Sequence, residues 1–209
     1  ISGLTYEYAD TIRPALQVIH TRSGVNLVAG TYILILKDRL FFFADTTVNI
    51  DPDAETLAEI AILTAEFARR FDVVPRVAML SFSNFGSNPH PSARKARRAV
   101  EIVRARAPEL AIDGEMQADT AVMASVLQES YPWTRLGGPA NVLIFPELNS
   151  ANTAYKLIWR LAGAEAIGPV LLGMARPVHV LQRGVEVSDI VNMAAICVVD
   201  AQEYEARKS

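Results

Sequence analysis

The sequence predicts an α/β fold with a mostly parallel sheet flanked by helices. Strand-like and helix-like segments alternate along most of its 209 residues. Several predicted strands are continuous apolar runs, which is typical of strands covered on both faces. With 51% hydrophobic and 21% charged residues, a chain of this length can bury a sizeable core, and disordered and collagen-like proteins are excluded.

The first half of the chain predicts three strands and three helices. The turn-prone Lys37-Asp38-Arg39 sequence separates two apolar runs that should pair as a hairpin. Asp51 is a candidate N-cap with Pro52 at the first helical position, so a helix should begin there. The expected elements are a helix near residues 14–20, strands at 32–36 and 40–44, a helix from 51 to about 70, a strand at 76–81 and an amphipathic helix at 92–107.

The second half repeats the alternation. Asn149 is a candidate N-cap, Gly163 is a candidate helix stop, and Ser188 is the expected cap of a final helix that is apolar nearly all round. The expected elements are a brief strand ending at residue 112, a helix at 119–128, a strand at 141–145, a helix ending near 162, a strand at 167–172 and a helix from 189 to about 201.

The net charge and the lengths of the apolar runs limit the classes of partner that the sequence predicts. The formal net charge of −3 gives no general attraction for nucleic acid or anionic lipid. The longest apolar runs, such as residues 190–199, are about half the ~20 residues that a membrane-spanning helix needs. A lone Cys197 and no visible secretory leader predict a cytoplasmic protein. Because the chain begins at Ile1 rather than methionine, we expect a fragment.

The loop after the predicted strand at 76–81 is a candidate anion site, because ligands of parallel sheets bind at the carboxyl ends of strands. Ser81, Ser83 and Ser87 supply hydroxyls, Gly86 supplies flexibility, and backbone N–H groups are exposed, which suits a phosphate or carboxylate. The loop has neither a Walker ending nor a G-x-G-x-x-G pattern. Ordinary strand-to-helix loops have a similar composition, so both interpretations stand.

Three carboxylates, Asp113, Glu115 and Asp119, fall within seven residues. They suit a divalent cation or a general base, and they equally suit the capping of a turn and a helix start. No zinc-binding pattern of cysteines or histidines exists, so no metal site is predicted. The histidines are isolated in the sequence and are expected at the surface or in loops: His20, His90 and His179.

The segment before the final helix carries cations and a carboxylate. Arg183 has a planar fork that suits phosphate, and Asp189 at a helix start can act as a base. Alternatively, Asp189 only complements the helix dipole while Arg183 lies in water. The six basic residues between positions 94 and 106 are typical of a solvated helix face. These patterns together indicate an anion-binding α/β domain.

Six stretches, in the same order along the chain, together resemble the phosphotransacetylase family. They are residues 12–17 (IRPALQ), 78–87 (AMLSFSNFGS), 113–117 (DGEMQ), 141–155 (NVLIFPELNSANTAY), 163–169 (GAEAIGP) and 183–189. Residues 84–87 (NFGS) and 46–52 (TTVNIDP) are most similar to the phosphotransacetylase-like C-terminal domain of bacterial hybrid NADP-dependent malic enzymes. The resemblance implies that residues 1–209 form one such domain, without about its first third and without a malic-enzyme domain.

The resemblance implies a two-subdomain architecture, like that of isocitrate and isopropylmalate dehydrogenases, whose cleft admits coenzyme A. The family transfers an acetyl group between acetyl phosphate and the CoA thiol. Asp189 matches the family's base, Arg183 its active-site arginine and Arg13 a phosphate-contacting arginine, while Gln182 stands where the family has serine. The implied contacts of acetyl-CoA or CoA are Arg13, Ser81, Ser83, Gly86, Ser87, Gln182 and Arg183.

Three functions remain open on this basis. The leading hypothesis is an acetyl-CoA-binding regulatory and oligomerisation domain of an NADP-dependent malic enzyme, without acetyl transfer because of Gln182. Malate decarboxylation, with its NADP and divalent metal, is then expected in a malic-enzyme domain in cis. The alternatives are an active phosphate acetyltransferase or butyryltransferase and a purely structural oligomerisation module. A homo-oligomer is expected in each case, with no nucleic-acid or membrane partner.

Overall fold

A computed structural model of the chain describes residues 1–206. Short strands and amphipathic helices alternate along it, in keeping with the apolar periodicity of the sequence. The elements are β1 (Ser2–Gly3), α1 (Tyr8–Val18), β2 (Ala29–Leu36), β3 (Arg39–Ala44), α2 (Ala54–Arg69), β4 (Arg76–Leu80), α3 (Pro91–Arg106), β5 (Ala111–Met116), α4 (Ala118–Val122), α5 (Ala124–Ser130), β6 (Val142–Ile144), α6 (Leu148–Ala162), β7 (Glu165–Leu172), β8 (Val180–Leu181) and α7 (Val187–Ala206).

The larger sheet has six strands in the order β5-β4-β6-β3-β2-β7. Strands β3, β4, β5 and β6 are parallel, and β2 runs antiparallel to its neighbours β3 and β7. The predicted mostly parallel α/β sheet and its hairpin are therefore confirmed. Strands β3 to β7 end on one side, which we call the carboxyl edge. A separate two-stranded sheet pairs β1 with β8 in parallel.

Helices cover both faces of the six-stranded sheet. On one face α2, α3 and α7 share a core with the strands, and the rings of Phe42 and Phe67 meet edge-on at 5.9 Å. On the other face α4 and α6 pack over a second core, in which Phe43 contacts Phe145 at 5.1 Å. Helix α1 and β8 pack together at the β7 end. Apolar residues alternate between the faces of the strands, so each strand of the six-stranded sheet contributes to both cores.

Helix starts differ from the prediction because side chains nearer the helix compete as caps. Asp53, not Asp51, caps α2 by accepting the Thr56 N–H at 2.8 Å. Glu147, not Asn149, caps α6 by accepting the Ser150 N–H at 2.7 Å. Both carboxylates also favour the positive end of the helix dipole. The predicted stop of α6 is confirmed, because Gly163 adopts the left-handed conformation with φ 66°.

In two segments the secondary structure differs from the one that the sequence pattern predicts. The strand predicted to end at residue 112 continues to Met116, so Asp113 and Glu115 lie in β5 rather than in a turn. The helix predicted at 119–128 is two short helices, α4 and α5. In the first case Arg97 and Arg104 pair with the two carboxylates and stabilise the longer strand.

The first and last helices are longer than predicted. Helix α1 begins at Tyr8, before the predicted residue 14, and contains Pro14. Helix α7 begins at Val187, so Ser188 is not its cap; instead the Asp189 carboxylate in the first turn accepts the Glu186 N–H at 2.8 Å. This resembles half of a capping box. No helix within residues 1–206 combines the length and apolar character needed to span a membrane.

Candidate functional site

Arg183 lies two residues after the end of β8 and contacts the start of α1. Its Nη1 atom lies 2.8 Å from the Glu7 carboxylate, and its Nη2 atom donates to the Thr5 carbonyl at 2.9 Å. The Arg183 and Glu7 side chains are both more than half exposed, at 59% and 71%. Solvent screening keeps such an ion pair weak, so Arg183 can exchange Glu7 for an anionic ligand at little cost.

Arg13, Gln182 and Asp189 lie on the elements next to Arg183. Arg13 is on α1, 67% exposed, with its Nη1 atom 3.4 Å from the Asp10 carboxylate. Gln182 is half-buried between β8 and Arg183, and Asp189 is half-buried in the first turn of α7. Because α1 packs against β8 and β8 leads into α7, the structure brings these residues to one end of the sheet.

The loop from Ser81 to Ser87 is at the carboxyl end of β4 and is closed on an internal carboxylate. One Glu115 oxygen accepts the Ser83 hydroxyl at 2.9 Å and the Gly86 N–H at 2.8 Å. Arg97 of α3 donates to both Glu115 oxygens, at 2.9 and 3.0 Å. The donors that sequence analysis offered to a ligand anion therefore hold Glu115 instead.

The charge of Glu115 is well compensated. Its side chain has no exposed surface, and burial by itself opposes ionisation. The Arg97 guanidinium, the Gly86 N–H and the Ser83 hydroxyl outweigh burial and hold the pKa of Glu115 below its usual value of 4.5. Ser87 completes the loop, since its hydroxyl lies 3.1 Å from that of Ser83. The loop thus has a strong structural role, whatever else it binds.

The loop and Arg183 lie far apart across the sheet. Strand β4 is separated from β7, beside which β8 lies, by β6, β3 and β2. At the usual spacing of neighbouring strands, this separation is about 19 Å. A small anion cannot contact both groups, and only an elongated ligand lying along the carboxyl edge can reach from one to the other.

The carboxylates predicted as a cation or base cluster have separate partners. Asp113 accepts from Arg104 at 2.6 Å and from the Thr134 hydroxyl at 2.8 Å, and Glu115 is held by Arg97. Asp119 is exposed on α4. Two arginines of α3 therefore turn toward β5, which corrects the interpretation of that helix face as wholly solvated. Within residues 1–206 no group of three or more acidic, histidine or cysteine side chains is arranged to hold a metal ion.

The expectation for the histidines is correct for two and wrong for one. His20 and His90 are exposed, and the His90 Nδ1 atom accepts the Ser92 N–H at the start of α3. His179 is fully buried, with its Nε2 atom 2.9 Å from the Asp200 carboxylate. A polar partner on α7 makes this burial tolerable, and no local sequence spacing reveals a partner so distant.

Sequence analysis missed a group of hydroxyls at the carboxyl edge. Tyr155 of α6 is fully buried and stacks on Tyr32 of β2, with ring centroids 4.2 Å apart. Tyr8 of α1 and Thr47, which follows β3, lie beside them, and the hydroxyls of Tyr8, Thr47 and Tyr155 are buried. These side chains come from four distant segments, so no motif could have identified the group.

Asp45 positions the segment that carries Thr47. One of its carboxylate oxygens accepts the N–H groups of Gly30, Thr47 and Val48 at 2.9 to 3.1 Å. The other accepts the N–H of Asn49 at 2.9 Å. Burial raises the pKa of Asp45, and these donors oppose that rise. The carboxylate thus holds the turn after β3 in a fixed shape.

Comparison with known proteins gives consistent results. Residues 1–198 match the family described as phosphate acetyl/butaryl transferase. The phosphate acetyltransferase of Bacillus subtilis (strain 168) is 44% identical over 201 residues, and the NADP-dependent malic enzyme of Escherichia coli (strain K12) is 45% identical over 204 residues. A crystal structure of a phosphotransacetylase from Streptococcus pyogenes superposes with a TM-score of 0.92 at 43% identity.

The matches cover nearly all of this chain and only part of each relative. The Bacillus subtilis match takes in 96% of this chain and 62% of the relative, and the Streptococcus pyogenes structure gives 97% and 62%. For the Escherichia coli malic enzyme the shares are 97% and 27%. The chain therefore spans less than two thirds of the length of these relatives.

Proposed function

The chain belongs to the phosphate acetyl/butaryl transferase family, and on that premise we propose that it is an acetyl-CoA-binding regulatory domain with little or no acetyl transfer of its own. The observation that supports the proposal is that Gln182, Arg183 and Asp189 lie on the connection from β8 to α7, next to α1, which carries Arg13. Two exposed guanidinium groups suit the phosphates of a CoA ester.

The shape of the carboxyl edge supports an elongated ligand. Strand β4, which leads into the loop from Ser81 to Ser87, and strand β7, beside which β8 lies, are about 19 Å apart at the usual strand spacing. A CoA ester is long and flexible enough to lie along such an edge, with its thioester near Asp189. In this arrangement Ser81 and Ser87 contact the far end of the ligand, while Ser83 and Gly86 keep the loop folded around Glu115.

Gln182 is the reason to propose weak or absent transfer. A thiol of pKa near 8.5 is mostly protonated at neutral pH, so transfer needs a base beside it and donors for the carbonyl and phosphate oxygens. Asp189 can supply the base. The side chain of Gln182, which directly precedes Arg183, is longer than the serine of the family and lacks its hydroxyl, so we propose that it crowds the acetyl group.

An active phosphate acetyltransferase is the second candidate, and the name of the Bacillus subtilis relative favours it. The Escherichia coli relative, named as a malic enzyme, favours the regulatory role. In that case the protein contains a malic-enzyme domain in cis, which carries NADP and a divalent metal, and works in the cytoplasm. A purely structural module is less well supported, because Arg13 and Arg183 keep the polar character that a CoA ester requires.

Replacing Arg183 with alanine should weaken acetyl-CoA binding. The loss of one charged hydrogen bond costs about 1.5 to 3 kcal/mol, or about ten- to 150-fold in Kd. Titration calorimetry on the whole protein measures the effect. Arg69→Ala, which removes an exposed arginine at the end of α2, is the matched control and should leave Kd unchanged. Equal affinity in Arg183→Ala and the control contradicts the proposed site.

We also expect a homo-oligomer that uses the exposed apolar face of α7. Val187, Val191 and Val198 are 76%, 60% and 56% exposed on this helix. Association would remove that apolar surface from water. Val191→Glu should lower the mass measured by sedimentation velocity at micromolar concentration. Leu161→Glu makes the same kind of change on a different exposed apolar face, that of α6. A monomeric wild-type protein contradicts this expectation.

A further inference from the structure

Three buried hydroxyls at the carboxyl edge lack a hydrogen-bond partner of ordinary geometry among the described residues. They belong to Tyr8, Thr47 and Tyr155. Buried polar groups in folded proteins nearly always have a partner, and leaving one without a partner is costly. Three such groups in one place indicate that a water molecule or a ligand atom completes the site.

The three hydroxyls are close together. The hydroxyls of Tyr8 and Thr47 face each other, and the Tyr155 hydroxyl faces that of Tyr32, although neither pair has ordinary hydrogen-bond geometry. Tyr32 stacks on Tyr155 with ring planes 17° apart, which fixes both rings. The side chains are therefore held rigidly by α1, α6 and two strands, as a preorganised binding site requires.

The surroundings favour a neutral acceptor over an anion. Among residues 1–206 no arginine or lysine is hydrogen-bonded to the three hydroxyls. Lys156 lies over the face of the Tyr155 ring, with its Nζ atom 5.3 Å from the ring centroid. The negative charges of Asp45 and Asp189 act on Tyr8 and Tyr32 and would repel a phosphate. Asp45 is occupied by backbone N–H groups, so it does not compete for the hydroxyl protons. Burial raises the pKa of Tyr8 and of Tyr32 well above the usual value, so both remain donors at neutral pH.

The hydroxyls also lie near the group expected to meet the thioester. The negative charge of Asp189 reaches Tyr32, the ring that stacks on Tyr155. Asp189 and Gln182 lie at the start of α7 and the end of β8. A carbonyl placed beside Asp189 is thus within the neighbourhood of neutral hydroxyl donors even though the family's serine is absent.

We propose that Tyr8 and Tyr155, with Thr47 beside them, donate hydrogen bonds to the acyl carbonyl oxygen of the bound CoA thioester. The inference rests on the proposed binding of a CoA ester and adds the residues that recognise its acyl group. A neutral hydroxyl is a suitable donor to a carbonyl oxygen in a water-poor site. Free CoA has no such carbonyl, so these hydroxyls distinguish the two ligands.

The test compares acetyl-CoA with free CoA by titration calorimetry on the whole protein that contains this chain. Tyr155→Phe and Tyr8→Phe each remove one hydroxyl, and Thr47→Val serves if either aromatic variant folds poorly by circular dichroism. Tyr204→Phe, beside Arg176 near the C-terminal end of α7, is the matched control. Each test variant should lose about three- to tenfold in affinity for acetyl-CoA and stay within about twofold for CoA.

The infrared band of the carbonyl in ¹³C-labelled acetyl-CoA gives an independent readout. Loss of a hydrogen bond should move the band of the bound ligand to higher frequency in Tyr155→Phe and not in the control. Equal losses for acetyl-CoA and CoA, or no loss for either, overturn the assignment of these hydroxyls. If the wild-type protein binds neither ligand, the proposed CoA-ester function itself is wrong.

Discussion

Glu115→Gln will lower the free energy of unfolding by about 3 kcal/mol at neutral pH. The substitution removes the negative charge that holds Arg97, Ser83 and Gly86, and it leaves an arginine facing a neutral amide. Breaking a buried ion pair costs about 3 to 5 kcal/mol. We expect the lower end of that range, because the Arg97 side chain is 40% exposed and water can compensate part of its charge.

The pH dependence of this effect has a definite sign. The pKa of Glu115 is lower in the folded chain than its usual value of 4.5, so its stabilisation is present above pH 4.5 and is lost as the pH falls through the folded pKa. The difference in unfolding free energy between Glu115→Gln and the wild type should therefore shrink as the pH falls below 4.5. Urea denaturation across the acid range measures it.

The control for this prediction is Glu109→Gln, which changes an exposed acid in the loop between α3 and β5. It removes the same charge from the chain and should change the unfolding free energy by less than about 0.5 kcal/mol. Equal effects of the two substitutions would show that net charge, and not the buried network, determines the loss of stability.

Gln182→Ser will raise acetyl transfer by about a hundredfold while the Kd for CoA changes little. By the resemblance to the family, serine is the residue expected directly before Arg183, and its side chain is shorter than that of Gln182. A misplaced reacting group can by itself cost about a hundredfold in rate, so correct placement should recover that factor. Asp189 and Arg183 are already present for the transfer.

The matched variant is Gln182→Ala, which vacates the same space without supplying a hydroxyl. If placement by the hydroxyl matters, only Gln182→Ser gains activity in an assay that couples acetyl phosphate and CoA to acetyl-CoA. A gain in both variants assigns the effect to space alone. Unchanged activity in both variants contradicts the role given to Gln182.

The strands and most helices were predictable because their signals are local. The apolar runs around Lys37 predict the hairpin, and Gly163 predicts the end of α6, since each depends on a few neighbouring residues. The apolar pattern ends the strand at residue 112, which leaves Asp113 and Glu115 to a turn or to a cation or base cluster. Only the arginines of α3, which approach from a different element, make that strand possible.

The candidate site was predictable in part for the same reason. Arg183 and Asp189 are six positions apart and come together on one connection, so sequence alone placed them. The wide separation of Arg183 from Ser83 follows from the strand order, which no local pattern encodes. The hydroxyls of Tyr8, Thr47 and Tyr155 meet only after α1 and α6 have packed on the sheet.

The most direct test of the proposed function measures the rate of acetyl-CoA formation from acetyl phosphate and CoA by the unaltered whole protein. Calorimetry first establishes the ligand concentrations that saturate the protein, and the rate is measured at those concentrations. The proposal predicts saturable acetyl-CoA binding together with turnover far below an ordinary enzyme rate of about ten per second. Turnover at about that rate would contradict it and establish an active phosphate acetyltransferase.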